Sequence, residues 1–165
     1  MYQVRGIEQF CKGHNPFPSC IVKISKILAD EGLRRDVWFN EENALDLDEV
    51  EKKVNPNGRK QTYDLVATIK QNKLLLTEVK LRIDGIGTNL IDDVIGKLPH
   101  SKNLLFACPN FNDPFTLYGT MVVLIPDAKS ETYKRKFHRL RVEKNAKLNI
   151  EAFTVAEYYK KFFEA

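Results

Sequence analysis

The sequence has no long apolar run at its start: MYQVRGIEQF carries none, so a secretion signal is not expected. No stretch approaches the roughly 20 apolar residues of a membrane span. Cysteine is scarce and odd in number, three in 165 residues. That argues against a disulfide framework and for reduced thiols in a cytosol. Internal repeats, low-complexity tracts and dividing linkers are also missing. Net charge is only +4, which permits a polyanionic partner without demanding one. What is there is ordinary for a globular chain, with 43% hydrophobic and 29% charged residues. The length suffices to bury a core without staples. One cytoplasmic domain spanning residues 1–165 is the expectation.

Periodicity then gives an order of elements. PFPSCIVKISKILADEG places Ile21, Ile24, Ile27 and Leu28 at helical spacing, with Ser19 to cap the start and Gly32 the end. LRRDVWFN, 33–40, alternates weakly and predicts a strand. The acidic stretch that follows predicts a short helix near 46–54 and an exposed loop at Asn55–Gly58. TNLIDDVIGKL carries Leu90, Ile91, Val94, Ile95 and Leu98 on one face, with Pro99 as its stop. NLLFAC, 103–108, and LYGTMVVLI, 117–125, read as buried strands. A basic helix follows, then the strand LNIEAF. A last helix opens on a capping box of Thr154 and Glu157. A meander followed by a strand–helix–strand crossover makes an α/β fold, a mixed β-sheet flanked by helices.

The hairpin TYDLVATIKQNKLLLTEVKLR, 62–82, carries the chemistry. Side chains of a strand alternate between faces. Tyr63, Leu65, Ala67 and Ile69 share one face with Leu75, Thr77, Val79 and Leu81 of the second strand, and these form the expected core side. Asp64, Val66 and Thr68 point the other way with Leu76, Glu78, Lys80 and Arg82. A three-residue loop, Gln71 to Lys73, sets Leu65 opposite Val79 and Asp64 opposite Lys80, and both apolar sets then coincide. Asp64, Glu78 and Lys80 thus gather on one face, within roughly 5–8 Å. Two carboxylates on a rigid sheet repel unless a cation or proton intervenes. Hard oxygen donors suit Mg²⁺ or Mn²⁺. A lysine beside such an ion can hold or deprotonate an attacking water, or neutralise charge on a phosphate. The parts add up to metal-assisted hydrolysis of a phosphodiester.

Asp64 followed by Glu78-Val79-Lys80 resembles the signature of the PD-(D/E)xK nuclease superfamily. The order of elements over about 19–108 resembles its restriction-endonuclease-like core, with a C-terminal strand and helix added. The resemblance implies a Mg²⁺-dependent (or Mn²⁺-dependent) nuclease. It makes Asp64 and Glu78 metal ligands, the main-chain carbonyl of Val79 a further ligand and Lys80 the catalytic lysine. Tyr63 stands where proline is frequent. Many relatives also carry an acid in the first helix; Glu31 and Glu8 are the candidates here. Nucleic acid is the implied partner, DNA ahead of RNA, with no membrane and with a homodimer allowed.

Other readings of the same residues compete. Asp64, Glu78 and Lys80 could be a solvated hairpin face. The alternative to an enzyme is a catalytically inactive nuclease-fold module that binds nucleic acid or a protein. Cys11, His14, Cys20 and Cys108 could hold zinc, though their spacing fits no strong template. Lys134, Arg135, Lys136, His138, Arg139, Arg141, Lys144 and Lys147 form a basic cluster. Lys134, Arg135, Lys136, Arg139 and Arg141 are its candidate phosphate contacts. Within it, Tyr133 and Phe137 point to packing rather than base stacking. Glu41 or Glu42 could also reach a metal, within an acidic stretch that otherwise reads as a solvated helix.

Overall fold

The computed structural model describes residues 6–144 and 149–164. Helix α1 (Ile7–Cys11) and a 3-10 turn (Phe17–Cys20) lead into β1 (Ile21–Lys23) and α2 (Ile24–Asp30). Strand β2 (Asn43–Asp46), α3 (Leu47–Val54), β3 (Leu65–Ile69) and β4 (Lys73–Val79) follow. Then come α4 (Thr88–Phe106), β5 (Thr116–Leu117), β6 (Thr120–Leu124), α5 (Ser130–Glu143), β7 (Asn149–Phe153) and α6 (Val155–Phe162). The sheet runs β1-β2-β3-β4-β6-β7, with β5 off this path beside β4. The first four strands pair antiparallel; β4, β6 and β7 are parallel. Helices α4 and α5 make the crossovers that parallel pairing requires. Among the described residues no helix is long and apolar enough to cross a membrane.

Helices cover both faces of the sheet. On one, α1, α3, α4 and α5 pack over Val66, Leu74, Leu76, Val123 and Ile150. On the other, α2 and α6 pack over Leu65, Ala67, Leu75, Val79, Val122 and Leu124. The alternation of Leu65, Ala67, Ile69, Leu75 and Val79 against Val66 and Leu76 is as the sequence predicts, but the face expected to be solvated is also core. Tyr63 departs from the alternation. It lies on the α4 side, its hydroxyl donating to Val94 O at 3.0 Å and its amide to Ser101 Oγ at 2.9 Å.

Several local expectations are corrected. The first helix is shorter, because Ile21–Lys23 pairs with β2; β-branched Ile21 and Val22 suit a ladder better than a helix turn. Ser19 does not cap it; its hydroxyl donates to Pro16 O. Gly32 does end it, at φ +105°, with Leu33 N donating to Leu28 O at 2.9 Å. Residues 33–40 form no strand. The Asp36 carboxylate accepts from Trp38 N and Phe39 N at 2.8 and 3.0 Å, folding the segment into a turn. The strand lies instead at Asn43–Asp46, and Asp46 caps α3 through Glu49 N.

Pro99 does not stop α4, and 103–108 is not a strand: the helix continues to Phe106. Proline removes one helical hydrogen bond and crowds the preceding turn. Helical packing on both sides outweighs that cost: Ile91, Val94 and Leu98 precede Pro99 and Leu104 and Leu105 follow it in one core. In the hairpin, the loop is Lys70–Asn72, and Gln71 and Asn72 take left-handed φ of 63° and 55°. Ile69 pairs with Lys73 and Leu65 with Thr77, two residues from the expected register. An even shift keeps every side chain on its face.

Candidate active site

Asp64 sits one step before β3, and Glu78 follows Thr77, the partner of Leu65. The corrected register therefore sets Asp64 beside Glu78 rather than Lys80. Asp64 also closes the ladder: its Oδ2 accepts from Val79 N at 2.6 Å. Glu78 points towards α4 and is 1% exposed. Lys80 leaves the end of β4 with its amide bonded to Leu124 O at 2.8 Å, and its ammonium lies 3.1 Å from Glu78 Oε1. The structure thus brings Asp64, Glu78 and Lys80 to one end of the β3–β4 hairpin.

Helix α4 adds two residues that the sequence did not single out. Lys97 Nζ is 2.6 Å from the same Glu78 oxygen, and Asp93 Oδ2 lies 3.3 Å from Lys97 and 3.5 Å from Lys80. Glu78, Lys80, Asp93 and Lys97 close a ring of alternating charge. Among the described residues Glu78 Oε2 has no hydrogen-bond partner. An orphaned buried carboxylate oxygen is costly unless some other group claims it. The available signal was the i,i+4 spacing of Asp93 and Lys97 on a helix whose apolar stripe lies alongside.

The electrostatics are strained by the acids. Burial, then the charge of Glu78, pushes the Asp64 carboxyl up to about 7, against the pull of the Val79 amide. Glu31, at the end of α2, is raised by burial and by the same Glu78, with Arg82 and Lys80 opposing. It therefore lies within the field of the site. Burial alone would lower Lys97, but the charge and hydrogen bond of Glu78 outweigh it and hold the ammonium above its usual range. Asp64, Glu31, Asp30, Asp46 and Glu49 line a cleft of about 370 Å³ together with Lys26 and Lys52.

Hard oxygen donors, one of them unclaimed, fit a small divalent cation held by two carboxylates. Among the described residues, no group of three or more His, Cys, Asp or Glu side chains is arranged to hold a metal. The fit therefore rests on the Asp64–Glu78 pair, the orphaned Oε2 and main-chain or solvent oxygens. Glu8 lies elsewhere, accepting from Asn43 at 2.8 Å. Glu42 accepts from Asn40 N.

Among the described residues Cys11, His14, Cys20 and Cys108 do not come together as a group arranged to hold a metal. Cys11, Cys20 and Cys108 are free and buried. Burial, with Cys108 nearby, pushes the Cys11 thiol up to about 12 in the metal-free protein. His14 packs edge-on against Phe17 instead. On α5, Tyr133 and Phe137 are core. Lys134 is paired with Glu157, Arg139 with Glu143 at 3.8 Å, and Arg141 donates to Ile150 O. Arg135 donates to Glu131 O within the helix. Lys136 has no carboxylate within salt-bridge distance among the described residues. Lys144 pairs with Asp92, and Lys147 lies outside the described residues. Some of the expected phosphate contacts are thus engaged within the protein. No known family, curated protein or solved structure matches the chain.

Proposed function

We propose that this chain is a divalent-metal-dependent nuclease of the PD-(D/E)xK type, with a restriction-endonuclease-like core, acting on nucleic acid in the cytoplasm. The observation that carries the reading is Glu78: buried, with one oxygen unclaimed, next to Asp64 and 3.1 Å from Lys80. The antiparallel meander running into parallel crossovers, and the register that places the two acids together, support it.

Asp64 and Glu78 would hold Mg²⁺ or Mn²⁺, with the Val79 carbonyl as a further ligand. When bound, such an ion supplies Lewis acidity at a phosphoryl oxygen and acidifies a bound water. Lys80, fixed by its amide to β6 and with its ammonium 3.1 Å from Glu78, would neutralise charge developing on the attacking water and the phosphate. Asp64, held by Val79 N, keeps its second oxygen for the ion. Lys134, Arg135, Lys136, Arg139 and Arg141 supply a basic face for the backbone of the substrate, DNA in preference to RNA.

The test is nicking of DNA and RNA with Mg²⁺ or Mn²⁺ against a chelator control. Wild type is expected to cut, and Asp64→Asn and Lys80→Ala to lose most of that activity. One observation favours a second reading, a nuclease-fold module that binds without cutting. The charge ring already neutralises Glu78 Oε1 from two sides. Nucleic-acid binding without cleavage under any of these conditions selects that reading.

A further inference from the structure

Glu78 has two cationic neighbours, and the closer one comes from another element. Lys97 Nζ lies 2.6 Å from Oε1 and Lys80 Nζ lies 3.1 Å from it. The Lys97 side chain is only 11% exposed. Burying an ammonium is costly unless a partner is fixed beside it. Lys97 has two such partners. Asp93 Oδ2 is 3.3 Å away, one helical turn back, on a carboxylate that is 30% exposed. The ammonium therefore stands between an interior and a peripheral acid.

We propose that Lys97 is the resident counter-ion of Glu78 in the metal-free protein. It is the group that gives way to a divalent cation, passing to Asp93 as Glu78 turns to the ion; this rests on the metal-binding reading of Asp64 and Glu78. Three features converge on it. An ammonium 2.6 Å from Oε1 and a divalent cation on the same carboxylate would repel each other strongly. Oε2 is free to receive the ion while Oε1 is still engaged. Asp93 already touches Lys97, so the exchange needs a change of side-chain partner and no backbone movement. Glu78 trades an ammonium for the ion, Lys97 keeps the Asp93 carboxylate, and Asp64 as the second ligand supplies negative charge against the divalent ion. Lys97 is in this sense a positioning residue that sets how readily the site is loaded.

The test is calorimetric titration of the full chain with Mn²⁺ alone. Lys97→Met removes the competing ammonium while Lys80 still neutralises Glu78, so Mn²⁺ affinity should rise about tenfold. Lys102→Met, on the same helix, should leave affinity within about twofold, since charges apart from the site are screened. Asp93→Asn should weaken binding several-fold, and more than Asp92→Asn, whose carboxylate instead faces Lys144 at 3.1 Å. If Lys97→Met fails to fold, Lys97→Gln, which keeps a neutral donor to Glu78, gives the same reading. Binding that appears only in the Lys97 variants also supports the proposal. Affinity unchanged or lowered in the folded Lys97 variants overturns it and leaves the metal reading standing. No Mn²⁺ binding by any variant, wild type included, overturns both.

Discussion

Replacing Asp64 with asparagine should stabilise the metal-free protein. In the folded state burial and the charge of Glu78 raise this carboxyl from 3.8 to about 7. The folded chain therefore binds that proton more tightly than the unfolded chain does. Stability from this group is lost as pH rises from about 4 to about 7, the reverse of a salt-bridged acid. At about 1.36 kcal/mol for each tenfold in proton affinity, the ceiling at pH 8 is about 4 kcal/mol. Water at the partly exposed carboxylate screens part of this, so a gain of about 1–2 kcal/mol is expected. Asparagine keeps an oxygen to accept from Val79 N, so the bond at 2.6 Å need not be lost. Urea unfolding in chelator should show the midpoint of Asp64→Asn raised by roughly 0.5–1 M at pH 8. The gain should shrink towards pH 4, where the unfolded wild type is also protonated. An asparagine variant no more stable than wild type at pH 8, or one with the same gain at both pH values, would refute the reasoning.

Lys80→Ala should keep the fold and most of the metal affinity while cutting phosphodiester hydrolysis roughly 10²–10⁴-fold, measured by nicking kinetics beside Mn²⁺ titration. Replacing Lys134, Arg135 and Lys136 with alanine should weaken DNA binding and flatten its dependence on salt, read from affinities at several ionic strengths. An unchanged salt slope makes α5 a soluble surface only. Glu51→Gln should cost about 1–3 kcal/mol at pH 7. Burial would raise the Glu51 carboxyl, but donors from Lys60 N, His100 and Asn55 outweigh it and hold it below its usual value. That stability is present above the unfolded value and lost as pH falls through the folded one, so the variant's deficit should vanish in acid-titrated thermal melts.

The hairpin was legible because strand alternation has period two. The expected register was wrong by two residues, yet Glu78 and Lys80 stayed on one face and Asp64 moved from beside Lys80 to beside Glu78. The elements that escaped prediction were decided by contacts distant in sequence or by local polar competition. Ile21–Lys23 looks helical until β2 is there to pair with it. Residues 33–40 alternate, but Asp36 binds its own backbone and turns the chain. Pro99 ends most helices; here the core holds α4 on both sides of it. That continuation bears on the site, because α4 runs as one helix past the hairpin and carries Asp93 and Lys97 to Glu78. A lysine approaching a glutamate 19 positions away leaves no mark in local periodicity.

The most direct measurement of the central claim is cleavage of a nucleic-acid substrate by the purified chain as Mg²⁺ or Mn²⁺ is titrated, with wild type and Asp64→Asn side by side and metal binding read on the same samples. Cutting that appears with the metal, disappears with chelator and is lost together with metal binding in Asp64→Asn is the predicted result. Cutting that persists in chelator, or an Asp64→Asn variant that binds metal and cuts as wild type does, would contradict it.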